Sequence, residues 1–153
     1  MAQSDSPGGS GRQQILDMLP LFFGGGVPHN QALGMRLVGV EGDDVSVALP
    51  YAEHLVGNPE TGVLHGGVVT TLLDATCGSA VFVKMERLAR VATLDLRIDY
   101  LRPGRPGKDI VARAGCYKLT RSVAFVRALA HDGDPADPVA SAQGTFIIME
   151  DGS

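Results

Sequence analysis

Asp74 is the residue of this chain whose type and surroundings most suggest chemistry. It is the only charged residue between Gly66 and Lys84, in a segment that is otherwise apolar or small. A carboxylate in such surroundings is costly unless it is hydrogen-bonded or has a function. On a helix its neighbours would be small side chains that leave space beside it; they are Thr70, Thr71, Cys77 and Gly78. An aspartate bonded to structural donors is the alternative, and both interpretations stay open at this point.

The start of the same segment offers a complementary group. His65, Gly66 and Gly67 lie where a loop is predicted to become a helix. The first N–H groups of a helix have no intrahelical partner and carry the positive end of its dipole. Glycines there allow a ligand to approach the backbone, and such a site suits a carbonyl oxygen that gains negative charge. The tripeptide alone could be plain capping geometry, but with Asp74 seven residues later it favours a catalytic site.

The spacing of these groups constrains how they could act together. Asp74 follows Gly66 by eight residues, which is about 12 Å along a helix axis. Groups that act on one carbonyl must lie roughly 3 Å from it. One helix cannot satisfy both conditions, whereas two antiparallel copies related by a twofold axis can. If both residues act on one carbonyl, the site is therefore shared across a homodimer, with two sites per dimer.

The hydrophobic pattern predicts the elements that position these residues. Helices are expected over 12–23, interrupted by Pro20, and from Gly66 to about Lys84. Residues 51–64 are expected to form a long irregular loop. Six strands are predicted, over 35–40, 45–49, 91–101, 110–119, 123–131 and 139–149. The last four should form an antiparallel meander that the first hairpin joins, which is an α+β layout around one long helix.

Composition narrows the class of protein. The 153 residues suit one domain, which we place at 12–149 after a disordered N-terminal tail at 1–11. The net charge of -4 argues against a nucleic-acid surface. The two cysteines form no CxxC pair, and a reducing cytoplasm is the expected location. The apolar run 63–83 could suggest a membrane span, but the acid in its middle favours a helix buried in protein.

The segment from Asn58 to Asp74, NPETGVLHGGVVTTLLD, resembles the signature of PaaI-like hotdog thioesterases. The segments TLDLRIDYLRP at 93–103 and TRSVAF at 120–125 are similar to the same family. The similarity runs from about Leu33 to Met149. It implies a hotdog fold, in which an antiparallel sheet wraps around one long central helix, and it implies homodimers and often homotetramers.

The resemblance also implies hydrolysis of an acyl-CoA to free acid and CoA. It assigns Asp74 as general base or nucleophile, and Gly66 and Gly67 as oxyanion-hole amides. His65 is implied to orient the thioester or the loop. Asn58 is implied to hold the attacking water or the carbonyl, and Thr93 to contact the water. One departure from the family pattern is that several relatives have one residue fewer between the Asn and the His.

Substrate contacts are expected from a second set of residues: Thr70, Arg102, Lys118, Arg121 and Ser122. The three cations lie at predicted strand ends, where they could meet CoA phosphates or simply be solvated. The acyl group stays open between aryl and medium aliphatic chains, with Phe82 and Tyr100 as lining candidates. The CoA thioester is the substrate, and we expect no cofactor, no metal and no membrane or nucleic-acid partner. The alternatives are a non-catalytic acyl-CoA-binding protein and an enoyl-CoA hydratase or dehydratase.

Overall fold

The computed structural model of the protein describes residues 10–150. Most of the predicted N-terminal tail therefore lies outside the described residues. The last two residues of the predicted tail are ordered at the start of helix α1 (Gly11–Gly24). Ser10 caps this helix, because its side chain accepts a hydrogen bond from the Gln13 N–H, and Gly11 is the first helical residue. The predicted interruption at Pro20 is wrong. Pro20 lies on the exposed face of α1, so its missing N–H removes one solvent-side bond while the buried side of the helix packs on without a break.

A short helix that the hydrophobic pattern did not predict, α2 (Pro28–Ala32), follows α1. The remaining elements agree with the prediction more closely. The strands are β1 (Arg36–Glu41), β2 (Asp44–Leu49), β3 (Val56–Asn58), β4 (Val63–Leu64), β5 (Arg90–Tyr100), β6 (Ile110–Leu119), β7 (Val123–His131) and β8 (Ala140–Met149), and the long helix α3 (Gly66–Met85) lies between β4 and β5. All six predicted strands are present, with ends within one residue of those expected.

The strand order corrects the predicted meander. Six strands form one antiparallel sheet in the order β1-β2-β6-β7-β8-β5. Strands β6, β7 and β8 are a meander, and the first hairpin joins it beside β6, as expected. Strand β5 does not pair with β6 but with β8, where Ile98 lies opposite Ala142. Alternation of apolar residues identifies the buried face of a strand and carries no information about its neighbour, so the edge position of β5 could not be predicted.

The segment 51–64 is not the irregular loop that we predicted. It contains a 3₁₀ turn at Glu53–Leu55 and the two-stranded pair β3–β4. The Tyr51 hydroxyl donates to the Gly62 carbonyl at 2.7 Å, and the His65 N–H donates to the Leu55 carbonyl at 2.9 Å. Strands of two and three residues are too short to show a period in sequence. This folded segment fixes the position from which α3 starts.

Helix α3 crosses the inner face of the sheet and has two unlike sides. Leu72, Leu73, Cys77 and Ala80 are fully buried against the sheet. The helix is long and apolar enough to cross a membrane, but half of its apolar window is buried inside the protein, as in the core helix of a soluble fold. The opposite side is open, so the expectation that the whole helix and Asp74 are buried is wrong. The residues on this open side are exposed or half-buried; they are Gly67, Thr71, Asp74, Ala75 and Gly78.

Candidate active site

The first turn of α3 is capped by the side chain of His65. Its Nδ1 accepts a hydrogen bond of 2.8 Å from the Gly67 N–H. The Gly67 amide is therefore already used, which leaves one of the two predicted oxyanion donors free. The Gly66 N–H makes no hydrogen bond to any of residues 10–150. Gly67 has a steric role instead, since a Cβ there would lie 2.8 Å from the His65 ring nitrogen.

The cap also orients the His65 ring. A neutral imidazole has one donor and one acceptor nitrogen, so the hydrogen bond accepted at Nδ1 assigns the ring proton to Nε2. The side chain of His65 is exposed beside the free Gly66 amide. The start of α3 therefore presents two N–H groups, one from the backbone and one from a ring, that can donate to an oxygen atom.

Tyr100, which we expected only as an apolar lining residue, makes polar contacts in this turn. Its hydroxyl donates to the Gly66 carbonyl at 3.1 Å and is hydrogen-bonded to the Thr70 hydroxyl. The peptide unit between Gly66 and Gly67 is thus held at its oxygen by Tyr100 and at its N–H by His65. Alternation along β5, which places Tyr100 on the same face as Leu96 and Ile98, was the available sequence signal.

The structure brings together Asp74 and Thr93, two of the predicted site residues. The Thr93 hydroxyl donates to the Asp74 Oδ1 at 2.8 Å. Among the described residues this is the only hydrogen bond of the Asp74 carboxylate, which is half-buried and able to accept several more. One turn later, burial and the Asp74 charge raise the pKa of Cys77 to about 12. That thiol stays protonated at neutral pH, and Asp74 is the group with capacity for chemistry.

Gly66 and Asp74 are not brought together within one protomer. Both lie on the single uninterrupted helix α3, so their separation along its axis is about 12 Å. Both face the open side of the helix, next to β5 at the edge of the sheet. That edge strand is open to solvent, with Leu94 57% and Tyr100 54% exposed.

Asn58 is the last residue of β3, where the turn to β4 begins. Its side-chain oxygen accepts from the Glu60 N–H at 3.0 Å, and its backbone carbonyl accepts from the Gly62 N–H at 2.8 Å. These bonds fix the turn, and within residues 10–150 the side-chain NH₂ group of Asn58 has no hydrogen-bond acceptor. Asn58 and His65 therefore lie at the two ends of one compact hairpin, β3–β4.

The cations predicted to contact CoA lie in two different places. Arg102 faces Asp132, to which its guanidinium donates at 2.8 and 3.0 Å, and its Nε lies 3.2 Å from an Asp137 carboxylate oxygen without the angle of a hydrogen bond. Lys118, near the end of β6, and Arg121 and Ser122, in the turn between β6 and β7, lie elsewhere and are exposed. Of these three, Arg121 borders a shallow pocket together with Met85 at the end of α3. Arg121 has one distant ion pair, 3.6 Å from Glu150.

Comparison with known protein families covers most of the candidate site residues. The thioesterase superfamily model matches residues 61–139, a stretch that includes His65, Gly66, Asp74 and Thr93. The chain belongs to the thioesterase superfamily. It is accordingly a thioester hydrolase. This thioesterase is 32% identical over 149 residues to the medium/long-chain acyl-CoA thioesterase YigI of Escherichia coli K12, an alignment that covers 89% of the chain and 95% of YigI.

Solved structures agree with this assignment. The thioesterase superimposes with a TM-score of 0.79 on a crystal structure from Pseudomonas aeruginosa that is 38% identical, covering 88% of this chain and 99% of that one. It also resembles the phenylacetic acid degradation protein PaaI of Thermus thermophilus, with a TM-score of 0.68, 25% identity, and coverage of 80% and 99%. The antiparallel sheet around α3 is the hotdog fold, and the resemblance to PaaI-like thioesterases is confirmed.

Proposed function

We propose that this thioesterase hydrolyses acyl-CoA to a free carboxylic acid and CoA at a site shared by two copies of the chain. The observation that carries the proposal is the pair of half-satisfied groups on the open side of α3. The Gly66 N–H and the Asp74 carboxylate both have unused hydrogen-bonding capacity, yet they lie about 12 Å apart along one helix. The name of the relative YigI supports acyl-CoA as the thioester.

The chemistry follows from the charges that develop. The thioester carbonyl oxygen accepts from the Gly66 N–H of one protomer, where the positive end of the α3 dipole stabilises the oxyanion. Asp74 of the other protomer takes a proton from water, whose oxygen adds to the carbonyl carbon, or attacks that carbon directly. The carbon–sulfur bond then breaks. On the water route the CoA sulfur leaves with the proton that Asp74 took, and the free acid is released. On the direct route CoA leaves as a thiolate that is protonated by solvent, and water then hydrolyses the acyl–Asp74 anhydride to the free acid and the carboxylate. Thr93 holds the carboxylate, while His65 Nε2–H and the Asn58 amide orient the thioester or the water.

The exposed elements are suited to pairing with a second copy. Strand β5 is an edge strand, and natural sheets usually protect long open edges by pairing or covering them. Pairing of β5 with itself across a twofold axis would extend the sheet and bring two α3 helices side by side. The small side chains of Thr71, Ala75 and Gly78 on the open face of α3 allow a close approach. The further step to a homotetramer rests on the family resemblance alone.

CoA itself is proposed to extend towards the cationic turn of the partner. In an antiparallel pair of helices, the end of one α3 lies beside the start of the other. That arrangement carries the exposed Lys118, Arg121 and Ser122 towards the half of the dimer that holds the partner's Gly66. The phosphate groups of CoA would bind to Lys118 and Arg121, and the Ser122 hydroxyl could donate to them. Arg102, whose donors face Asp132, is assigned a structural role, and Thr70 acts through its bond to Tyr100.

Mixed dimers test both the reaction and the shared site. Thiol release from a panel of acyl-CoAs establishes turnover in the wild type, and product acid separates hydrolysis from binding alone. Asp74→Ala and Gly66→Val should each be inactive; a Cβ at Gly66 lies 3.6 Å from Tyr100, so the larger residue is tolerated but fills the site. Purified mixed dimers should recover about half of wild-type activity, because one site collects both defects and the other neither. Mixed dimers as inactive as their parents would contradict the shared site.

A further inference from the structure

A cavity of about 480 Å³ opens next to the start of α3. It lies between β4, the first turns of α3, the segment that follows β5, and the beginning of β6. Its walls are mostly apolar, and Leu64, Val69, Ile110 and Val139 on them are buried in the core. Gly66 and Tyr100 form part of the border, so the cavity reaches the residue that carries the free amide. Its volume is in the range of small-molecule sites.

We propose that this cavity receives the acyl chain of the substrate, a straight medium-length alkyl chain, and sets the chain-length preference. The inference rests on the proposed function, because it places the thioester carbonyl on the Gly66 amide. From that point one arm of the substrate must pass along the cavity border. The Tyr100 ring stands 3.6 Å from the position of a Cβ on Gly66, while its hydroxyl faces the Gly66 carbonyl and Thr70. The ring thus forms an apolar wall beside the carbonyl position.

The lining selects the acyl arm over the CoA arm. The pantetheine arm contains amide groups, and burying an amide without hydrogen bonds is unfavourable. The one charged side chain at the border is Arg102, and its guanidinium already binds Asp132 and lies beside Asp137. An alkyl chain requires no polar partner and gains from the apolar walls. The polar arm is left to the open groove between the two copies.

The size of the cavity gives a quantitative expectation. A water-sized group occupies about 30 Å³ of a liquid, so 480 Å³ admits at most about 16 such groups. Each methylene buried should raise kcat/KM roughly fourfold until the cavity is full. The value of kcat/KM should therefore rise steeply from butyryl-CoA through decanoyl-CoA and level off at a chain of no more than about 16 carbons.

Gly104 allows the cavity to be filled. Its backbone is outside the left-handed region, and a Cβ there would be in ordinary contact with Ile110 Cδ1 at 3.4 Å. Gly104→Leu should lower kcat/KM for decanoyl-CoA at least tenfold and change that for butyryl-CoA less than twofold. The matched control is Gly39→Leu, at a strand glycine with open space around it. Equal losses for both substrates in Gly104→Leu would show that the cavity serves the CoA arm and would overturn the proposal.

A substitution at Leu101 enlarges the cavity instead of filling it. It provides a second test if Gly104→Leu does not fold. Leu101 is 55% exposed, so Leu101→Ala enlarges the cavity mouth with little loss of packing. In Leu101→Ala, kcat/KM should level off at acyl chains at least two carbons longer than in the wild type. The control Leu21→Ala, at a side chain that is 61% exposed on α1, should keep the wild-type profile. A plateau at the wild-type chain length in an active Leu101→Ala would overturn the acyl site and leave the proposed hydrolysis standing.

A binding measurement separates the two proposals if turnover is absent. Calorimetry with decanoic acid reports on the acyl site without any hydrolysis. The wild type should bind this probe at least ten times more tightly than Gly104→Leu. Equal affinity of the two proteins would overturn the acyl site, whereas lack of hydrolysis with the expected difference in affinity would overturn only the proposed reaction.

Discussion

Asp74 and Asp132 are two aspartates of one small domain with opposite surroundings. Asp132 has a side chain with 0% exposure, and its two oxygens accept from Arg102 at 2.8 and 3.0 Å and from the Arg105 N–H at 2.8 Å. Asp74 is half-buried and accepts one hydrogen bond, from Thr93. Hydrogen bonds from Arg102, with support from Arg105, hold the pKa of Asp132 well below its usual range.

The difference separates a carboxylate that stabilises the fold from one that can react. A fully satisfied carboxylate has no acceptor capacity left for water or substrate, and its partners are lost if it is removed. A carboxylate with one partner keeps lone pairs available on an open surface. The apolar sequence around Asp74 suggested that this carboxylate is buried, yet Asp132 is the more enclosed of the two. Burial is therefore not what distinguishes the carboxylate that can react.

The largest expected effect is on turnover. Asp74→Asn should lower kcat for several acyl-CoAs at least a hundredfold, because general-base catalysis contributes about 10²–10⁴ in rate. Asp132→Asn should keep kcat within about threefold at a temperature where it is folded, since Asp132 is held by Arg102 and Arg105 and is not part of the proposed catalytic pair. Thiol release measured on both variants, with circular dichroism to check folding, makes the comparison. A well-folded Asp74→Asn with wild-type kcat would contradict the assignment.

The order reverses for stability. Removing one member of a buried ion pair commonly costs about 3–5 kcal/mol. Arg102 keeps 25% of its side chain exposed, so we expect Asp132→Asn to lower the free energy of unfolding by roughly 2 kcal/mol after allowance for solvent screening. Asp74→Asn should change it by less than about 0.5 kcal/mol. Urea unfolding of the two variants checks this, and equal stabilities would remove the distinction between the aspartates.

Acid should erase the stability difference. The folded-state pKa of Asp132 is lowered, so its stabilising contribution is complete above the unfolded-state pKa, about 3.9, and is lost as the pH falls towards the folded value. The gap in unfolding free energy between wild type and Asp132→Asn should be constant from about pH 7 to pH 5 and shrink below about pH 4. Urea titrations across this range measure it; a gap that widens in acid would have the wrong sign.

The smallest effect is expected at Thr93, whose hydroxyl donates to the Asp74 carboxylate. Thr93→Val keeps the shape but removes the hydroxyl, and one hydrogen bond to a charged group is worth about 1 kcal/mol or more. We expect kcat to fall roughly fivefold with KM nearly unchanged, and Thr93→Ser to restore most of the rate. Thr145→Val, on the half-buried outer face of β8, is the matched control. A loss shared by the control would assign the effect to the sheet.

Much of this architecture could be read from sequence, for physical reasons that particular residues illustrate. The strands and α3 were predicted because alternation and a long apolar run report burial directly. The family resemblance marked Thr93 as a residue that contacts the water, whereas its hydrogen bond to Asp74 depends on how β5 lies against α3. The capture of the Gly67 N–H by His65 could not be predicted, since a side chain that caps its own helix looks in sequence like one that faces a ligand. The Tyr100 hydroxyl bonds depend on the crossing of β5 and α3, which periodicity does not specify.

The edge position of β5 has a consequence for how the enzyme would respond to dilution. The same strand carries Thr93 and Tyr100 and offers the open edge to a second copy. Under the shared-site proposal, separated protomers hold complete folds but no complete site. Specific activity per chain would then fall with protein concentration as dimers dissociate, and saturating acyl-CoA would favour reassociation because the complete site of the paired form binds it more tightly. The dimer dissociation equilibrium could then be measured directly with the hydrolysis assay.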